Sequence, residues 1–346
     1  MKTLTVRLKI LTTLIMVSCM LFGMTMDAYA VGHDIKIAEE KDTLESNRGE
    51  FRGVWFSFRD WQAMLQGKSE SDFRDTVDAV CANCASNGMN NIFVHVRSHN
   101  DAIYPSAIYP WSTEMLSGYD PGFDPLAIFV ESAHRYGLKI HAWINPYGYR
   151  NNEYCGDASL ATHDNIIAGV SEILEHYAVD GIHFDDYFPP IGASLHNVLL
   201  RDVYEVSHAY GKVFGVSPGG NIDNNLANGA EVTTWMSQKG YIDYICPQLY
   251  WTDNYGSGAN VTMFSDRLAA WRRLDTAGIP MYIGLAMYKA GDGSGSDPGW
   301  KQNSNNIANQ VLQLRSAGCG GFVIYSYSSM VSSAAAAEMQ NFRGVL

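Results

Sequence analysis

The chain has 346 residues, enough for one large α/β barrel or for two ordinary domains. Its formal charge of −12 opposes charge-driven binding to nucleic acid or to an anionic membrane surface.

Lys2, Arg7 and Lys9 precede the apolar run Ile10 to Phe22, and Ala28-Tyr29-Ala30 fits an A-x-A cleavage site. Residues 1–30 therefore read as a signal peptide cut after Ala30, which makes the mature chain secreted or cell-wall associated. A weaker reading acylates Cys19 as a lipoprotein, but Met20-Leu21-Phe22 stay apolar past that cysteine. Residues 31–49 are a polar lead-in without apolar periodicity, and residues 50–346 read as a single domain. No later apolar stretch is long enough to span a bilayer.

Eight short β-rich runs follow: Phe51–Ser57, Asn91–Arg97, Lys139–Asn145, Gly181–Tyr187, Val213–Pro218, Ile242–Trp251, Met281–Tyr288 and Gly321–Tyr327. Between and after them lie helical patterns. Phe73-Val77-Val80-Cys84 shares one helical face, and Pro125 to Tyr136, Asp164 to Tyr177 and Leu195 to Tyr210 come next. Glu231 to Lys239, Met263 to Ala277, Asn305 to Ala317 and Ser333 to Phe342 complete the set. Strand then helix, repeated through the chain, predicts a (β/α)8 TIM barrel. A doubly wound open sheet is disfavoured, because no Gly-rich phosphate loop follows an early strand. The cysteines left after cleavage, Cys81, Cys84, Cys155, Cys246 and Cys319, are odd in number and scattered, so no disulfide framework is expected.

A barrel places its site at the C-terminal strand ends and the loops after them. Those positions here include Trp55 and Ser57; Arg97, His99 and Asp101; Asn145 and Tyr147; and His183, Asp185, Asp186 and Tyr187. They also include Gln248, Tyr250 and Trp251, Tyr288 and Lys289, and Tyr325 and Tyr327. Aromatic faces suit sugar C–H surfaces, and amides and acids suit hydroxyls, so a polysaccharide is the expected partner.

The segment Asp180-Gly181-Ile182-His183-Phe184-Asp185-Asp186-Tyr187 carries the most chemistry. His183 and Asp185 share the parity of one strand face. Two mechanisms fit a carboxylate pair beside aromatic rings. Asp185 could be the nucleophile of a retaining glycosidase, with Asp101 as the best candidate for the second acid. Alternatively one aspartate orients the substrate's own acetamido group while its neighbour acts as the acid. Arg97 could hold a catalytic carboxylate ionised or bind hydroxyls. Asn145 could bind a hydroxyl or a catalytic acid, and Tyr250 could donate to a substrate carbonyl. His95, His141 and His183 offer a rival, a metal-dependent deacetylase or amidase, but they lie below the strand tips and read better as interior hydrogen-bonding groups. The loop Gly291 to Asp297 reads as a flap over the pocket.

Phe51-Arg52-Gly53-Val54-Trp55, the stretch Val96-Arg97 to Ser106, and Pro110-Trp111-Ser112 resemble glycosyl-hydrolase-like family 10. So do Asp124-Pro125-Leu126, His141 to Pro146, Asp180 to Pro189 and Pro247 to Trp251. The resemblance runs from about residue 50 to the C-terminus. It implies an extracytoplasmic (β/α)8 barrel that hydrolyses a glycan, in a group with a peptidoglycan glycosidase acting on peptide-free strands. The family's arginine after Asn-Pro-Tyr is displaced here, since Gly148-Tyr149 intervene before Arg150.

The sequence thus predicts a secreted, monomeric glycoside hydrolase without cofactor or metal, acting on peptidoglycan glycan strands or a related N-acetylated glycan. Asp185, Asp186 and Asp101 are its candidate catalytic acids. Arg97, His99, Trp55, Trp111, Asn145, Tyr147, His183, Tyr187, Gln248, Tyr250 and Trp251 are its candidate sugar-binding groups. The alternative is a glycan-binding barrel without catalysis.

Overall fold

The computed structural model describes residues 49–292 and 295–346. The signal-peptide reading of residues 1–30 and the lead-in up to residue 48 lie outside the described residues, as do Gly293 and Ser294 of the expected flap. Strands β1 (Phe51–Phe56), β2 (Asn91–Arg97), β3 (Lys139–Ile144) and β4 (Gly181–Phe184) are followed by β5 (Val213–Val216), β6 (Tyr244–Ile245), β7 (Tyr282–Leu285) and β8 (Gly321–Tyr325). They pair in parallel around one sheet, in the order β6–β5–β4–β3–β2–β1–β8–β7. Parallel bridges Ile245↔Met281 and Gln248↔Gly284 join β6 to β7 and close the ring. The fold is a (β/α)8 barrel, as the alternation of patterns predicts.

The barrel helices are α1 (Glu70–Ser86), α2 (Pro125–Arg135), α3 (His163–His176), α4 (Ala193–Ala209), α5 (Val232–Ser237), α6 (Met263–Leu274), α7 (Asn306–Ser316) and α8 (Ala336–Arg343). Side chains cap several of their starts. Ser69 accepts from Asp72 N, Asp124 from Ala127 N, and Thr162 from Asn165 N. No helix among the described residues is long and apolar enough to cross a membrane.

The strand expected over Ile242–Trp251 contracts to Tyr244–Ile245. Pro247 has no N–H to give a ladder, and the chain turns there into the site. Strand β4 likewise ends at Phe184, so Asp185 and Asp186 belong to the turn beyond it.

Alternate strand residues face two different cores. Val54, Phe56, Ile92, Val94, Ile140 and Ala142 join the layer between sheet and helices. Trp55, Phe93, Trp143, Tyr244, Cys246 and Val323 fill the barrel interior. These rings fit because the interior positions of neighbouring strands are glycines. A Cβ on Gly215 would lie 2.2 Å from the Tyr244 ring, and one on Gly53 2.8 Å from Phe93. Cys81, Cys84, Cys155, Cys246 and Cys319 are free thiols, and burial pushes Cys81 up to about 11.

Candidate active site

A relay of neutral histidines forms the floor under the C-terminal strand ends. His183 is fully buried, and its Nε2 lies 3.3 Å from Trp55 Nε1 and 3.0 Å from Ser217 Oγ. Its Nδ1 lies 3.2 Å from Tyr244 Oη, which lies 3.0 Å from His141 Nδ1. His141 Nε2 in turn reaches Asn91 Oδ1 at 3.2 Å. One proton assignment satisfies the chain: Trp55 donates to His183 Nε2, His183 Nδ1 to Tyr244, Tyr244 to His141 Nδ1, and His141 Nε2 to Asn91. Burial holds His183 well below the usual imidazole range and His141 at about 4, so both are neutral near pH 7. His95 is also pushed far down by burial, stacks on Trp143 at 3.8 Å and meets Asn145 Oδ1 at 3.2 Å. His141 and His183 therefore spend both ring nitrogens on structural partners, and His95 spends its Nε2 on Asn145. Among the described residues no group of three His, Cys, Asp or Glu could hold a metal ion.

Above this floor sits the carboxylate pair. Asp185 is 5% exposed, and its Oδ1 accepts from Gln248 Nε2 at 3.0 Å and from the Asp186 backbone N–H at 2.8 Å. The second amide hydrogen of Gln248 goes to the Ser217 carbonyl at 2.9 Å, which fixes the side chain's orientation. Burial raises the Asp185 carboxyl, and hydrogen bonds from Asp186 and Gln248 partly offset it. Burial also pushes Asp186 well above the carboxylate range, and the charge of Asp185 and a hydrogen bond to it push further the same way. Both carboxyls are thus raised, Asp186 more strongly because the charge of Asp185 adds to its burial. Two consecutive residues of a regular strand would point to opposite faces. Termination of β4 at Phe184 lifts that restriction. Asp185 lines the cavity, whereas Asp186 lies behind it, close to Gly219.

The cavity holds about 430 Å³. Trp55 and Trp143 form its base, Tyr187, Tyr250, Tyr288 and Tyr325 its walls, and Phe58, Arg59 and Arg150 one side of its rim. Tyr250 packs on Tyr325 at 5.9 Å and edge-on to Tyr288 at 5.8 Å, so the wall is one aromatic sheet. Asp60 fixes the rim beside it, accepting from Ser57 N at 2.7 Å and from Ser328 N at 2.8 Å. Such a surface offers flat apolar faces for sugar rings and a buried carboxyl at its base.

Of the sequence-predicted residues, Trp55, Ser57, Asn145, Asp185, Tyr187, Gln248, Tyr250, Tyr288 and Tyr325 converge on this cavity, and His183 lies directly beneath it. The others lie elsewhere. The β2–β3 register shifts between His95 and Arg97, and this bulge turns Arg97 outward. Its guanidinium is buried 3.5 Å above the Tyr109 ring, against Gly169 of α3. Asp101 is 6% exposed and receives the Thr113 N–H at 3.1 Å, so it braces the loop behind the cavity. His99 stands behind Phe58, edge to face at 5.8 Å. Trp111 is in a backbone bridge with Ala102, and Tyr147 is buried against His196 at 3.0 Å. Trp251 packs beside Gly220, and Tyr327 packs on Phe56 in the helical layer.

Sequence reasoning missed Phe58, Arg59, Ser326, Ser328 and Ser329, all of which line the cavity. They lie one to four residues beyond the strand-end positions considered after β1 and β8. The capping box from Ser57 to Asp60 was the available signal that a helix starts at the rim. Arg150 also reaches the cavity, carried by a hairpin that pairs Tyr149–Arg150 with Glu153–Tyr154.

Fold and cavity together define a (β/α)8 barrel whose candidate site lies on the C-terminal face, with Asp185 at its base. Residues 50–156 match the family model Glycosyl hydrolase-like 10, and the resemblance to that family is shown. The chain is 28% identical over 342 residues to glycosyl hydrolase YngK of Bacillus subtilis (strain 168); the match covers 76% of this chain and 65% of that protein, a little under two thirds of its length. Identity to glycosyl hydrolase DigH of Escherichia coli (strain K12) is also 28%, over 75% of this chain and 78% of that one. Among solved structures, the ICChI chitinase from Ipomoea carnea superposes with a TM-score of 0.54 at 12% identity, over 86% of this chain and all of that one. At that identity the likeness is one of fold.

Proposed function

We propose that this protein is an exported glycoside hydrolase that cleaves an N-acetylated glycan, with peptidoglycan glycan strands as the first substrate to test. The observation that carries the reading is Asp185, held by Gln248 and the Asp186 N–H at the base of an aromatic cavity. The curated relatives, both named glycosyl hydrolases, support the same reaction class.

Asp185 is the single carboxylate lining the cavity among the described residues. A two-acid mechanism needs a second carboxyl facing it across the scissile bond, about 5–5.5 Å away for retention and about 6.5–9.5 Å for inversion. Asp101 does not face the cavity. The arrangement favours the route in which the substrate supplies the nucleophile. The acetamido oxygen attacks C1 as the C1–O bond breaks, and the leaving oxygen takes the proton of the pair. Water then opens the cyclic intermediate and returns a proton to the carboxyls. Gln248 holds Asp185 in place, and the tyrosine walls hold the rings.

The test is residues 31–346 on peptidoglycan with and without its stem peptides, with soluble fragments read by mass spectrometry beside Asp185→Asn. Fragments from the unsubstituted chain, reduced at least about a thousandfold in the variant, are expected. Turnover by the variant within twofold of the unsubstituted chain would sink the catalytic role of Asp185.

A second reading rests on the missing opposed carboxylate: a barrel that binds glycan without cutting it. It predicts glycan retained in a pull-down with no new reducing ends.

A further inference from the structure

Arg59 and Arg150 approach one aromatic ring on the cavity rim. The Arg150 guanidinium carbon lies 4.8 Å from the Phe58 centroid and 5.9 Å from that of Tyr187, and that of Arg59 lies 5.8 Å from Phe58. Both side chains line the cavity. Arg74, Arg135 and Arg272 make ion pairs, whereas among the described residues neither Arg59 nor Arg150 has a carboxylate within 4.0 Å. In a chain with 36 acidic and 24 basic residues, two unpaired cations facing one cavity call for an explanation.

Both are held by fixed backbone. Arg59 lies in the first turn of the helix Phe58–Met64, which the Ser57–Asp60 capping box anchors. Arg150 sits on the short hairpin, tied down by Cys155 N donating to Gly148 O at 2.7 Å and Asn100 N donating to Cys155 O at 3.0 Å. Phe58 lies within cation–π range of both guanidinium groups and Tyr187 within range of Arg150. An arginine edge matches a carboxylate in geometry as well as charge. The acid of the site, Asp185, lies at the base of the cavity, so an anionic substituent would be drawn to the rim and repelled from the reaction centre.

We propose that Arg59 and Arg150 form a clamp for a carboxylate carried by the glycan, and that the preferred substrate is a sugar acid alternating with an N-acetylated sugar. This rests on the glycan reading of the same cavity. The carboxylate is either the lactyl ether acid of a muramic residue or the ring acid of a uronic residue. The clamp sets the register of the chain, so that the N-acetylated ring falls over Asp185.

The test is calorimetric binding to the full chain carrying Asp185→Asn, which keeps ligands intact. The ligands are a peptide-free muramyl tetrasaccharide, a glucuronate-containing tetrasaccharide, and the methyl ester of each. At least one free acid is expected to bind about tenfold or more tightly than its ester. The acid that does so identifies the source. In Arg59→Gln/Arg150→Gln that ratio should fall to within threefold, with the far-ultraviolet circular dichroism unchanged. Equal affinity for acids and esters, a ratio that survives the double substitution, or no binding by any ligand overturns the clamp. Parallel turnover assays with Asp185 restored separate the two claims. Cleavage of acid and ester at equal kcat/KM keeps the hydrolase and removes the clamp. An acid preference in binding with no cleavage keeps the clamp and removes the hydrolase.

Discussion

Burial raises both Asp185 and Asp186, and the charge of Asp185 raises Asp186 further. The one-proton form is the reactive one in the proposed mechanism. Activity should fall on the acid side as Asp185 takes a second proton, and on the alkaline side as the single proton leaves. Both limbs should lie above the usual carboxylate range, since both groups are raised. The same shifts set a stability trend. A carboxyl raised in the folded state holds its proton more tightly there than in the unfolded chain. Its contribution is fully present below the unfolded value and is lost as pH rises through the folded one. Asp186→Asn cannot ionise, so its stability relative to the unsubstituted chain should grow as pH rises from about 4 to 8. A gain of about 1 kcal/mol, or roughly 2 °C in Tm, is the expected scale at pH 8. Thermal melts across that range check it, and a difference independent of pH would show that the raised carboxyl is not what the substitution removes.

At the scale of single elements, Asp124-Pro125-Leu126 shows how a motif of the family resemblance can serve the scaffold. Asp124 Oδ1 accepts the Ala127 N–H at 3.0 Å, Pro125 occupies the first turn of α2, and Asp124 Oδ2 accepts from Tyr177 Oη at 2.7 Å. The residue caps one helix and ties it to the end of the next. Asp124→Ala should lose both bonds and cost about 2 kcal/mol, with kcat little changed, whereas Asp124→Asn should keep most of the cap. Urea unfolding gives the stabilities. The hairpin bearing Arg150 is a second example. Its turn residues Asn151 and Asn152 have φ of 50° and 65°, a region that asparagine tolerates and β-branched residues resist.

For the whole molecule, closure of the barrel depends on backbones that approach closely. Gly284 permits the β6–β7 contact, since a Cβ there would lie 3.1 Å from Trp55 Cη2 and 3.2 Å from Gln248 Cα. Gly215 leaves room for the Tyr244 ring, whose hydroxyl joins His183 to His141. That ring cannot swing aside without breaking the relay under the site. Gly215→Ala should destabilise the protein by about 3 kcal/mol and lower turnover as well. Circular dichroism melts and a glycan-release assay together test this. A stable, fully active variant would mean that the interior repacks freely.

The sequence by itself determined the barrel, its strand and helix order, and the segment that carries the carboxyl pair. Apolar periodicity and side-chain parity are local properties of regular elements, and the parity that turns His183 inward in β4, carried one step past its end, points to Asp185. It also determined nine cavity residues, because positions at strand ends inherit their direction from the strand. Only the tertiary structure decided the rest, for reasons that parity cannot express. A bulge in β2 turned Arg97 away from the cavity. The end of β4 let Asp185 and Asp186 meet. Loop packing sent Tyr147 to His196 and Asp101 to Thr113. The rim cations came from a helix and a hairpin whose directions depend on distant contacts such as Asp60 with Ser328 and Asn100 with Cys155.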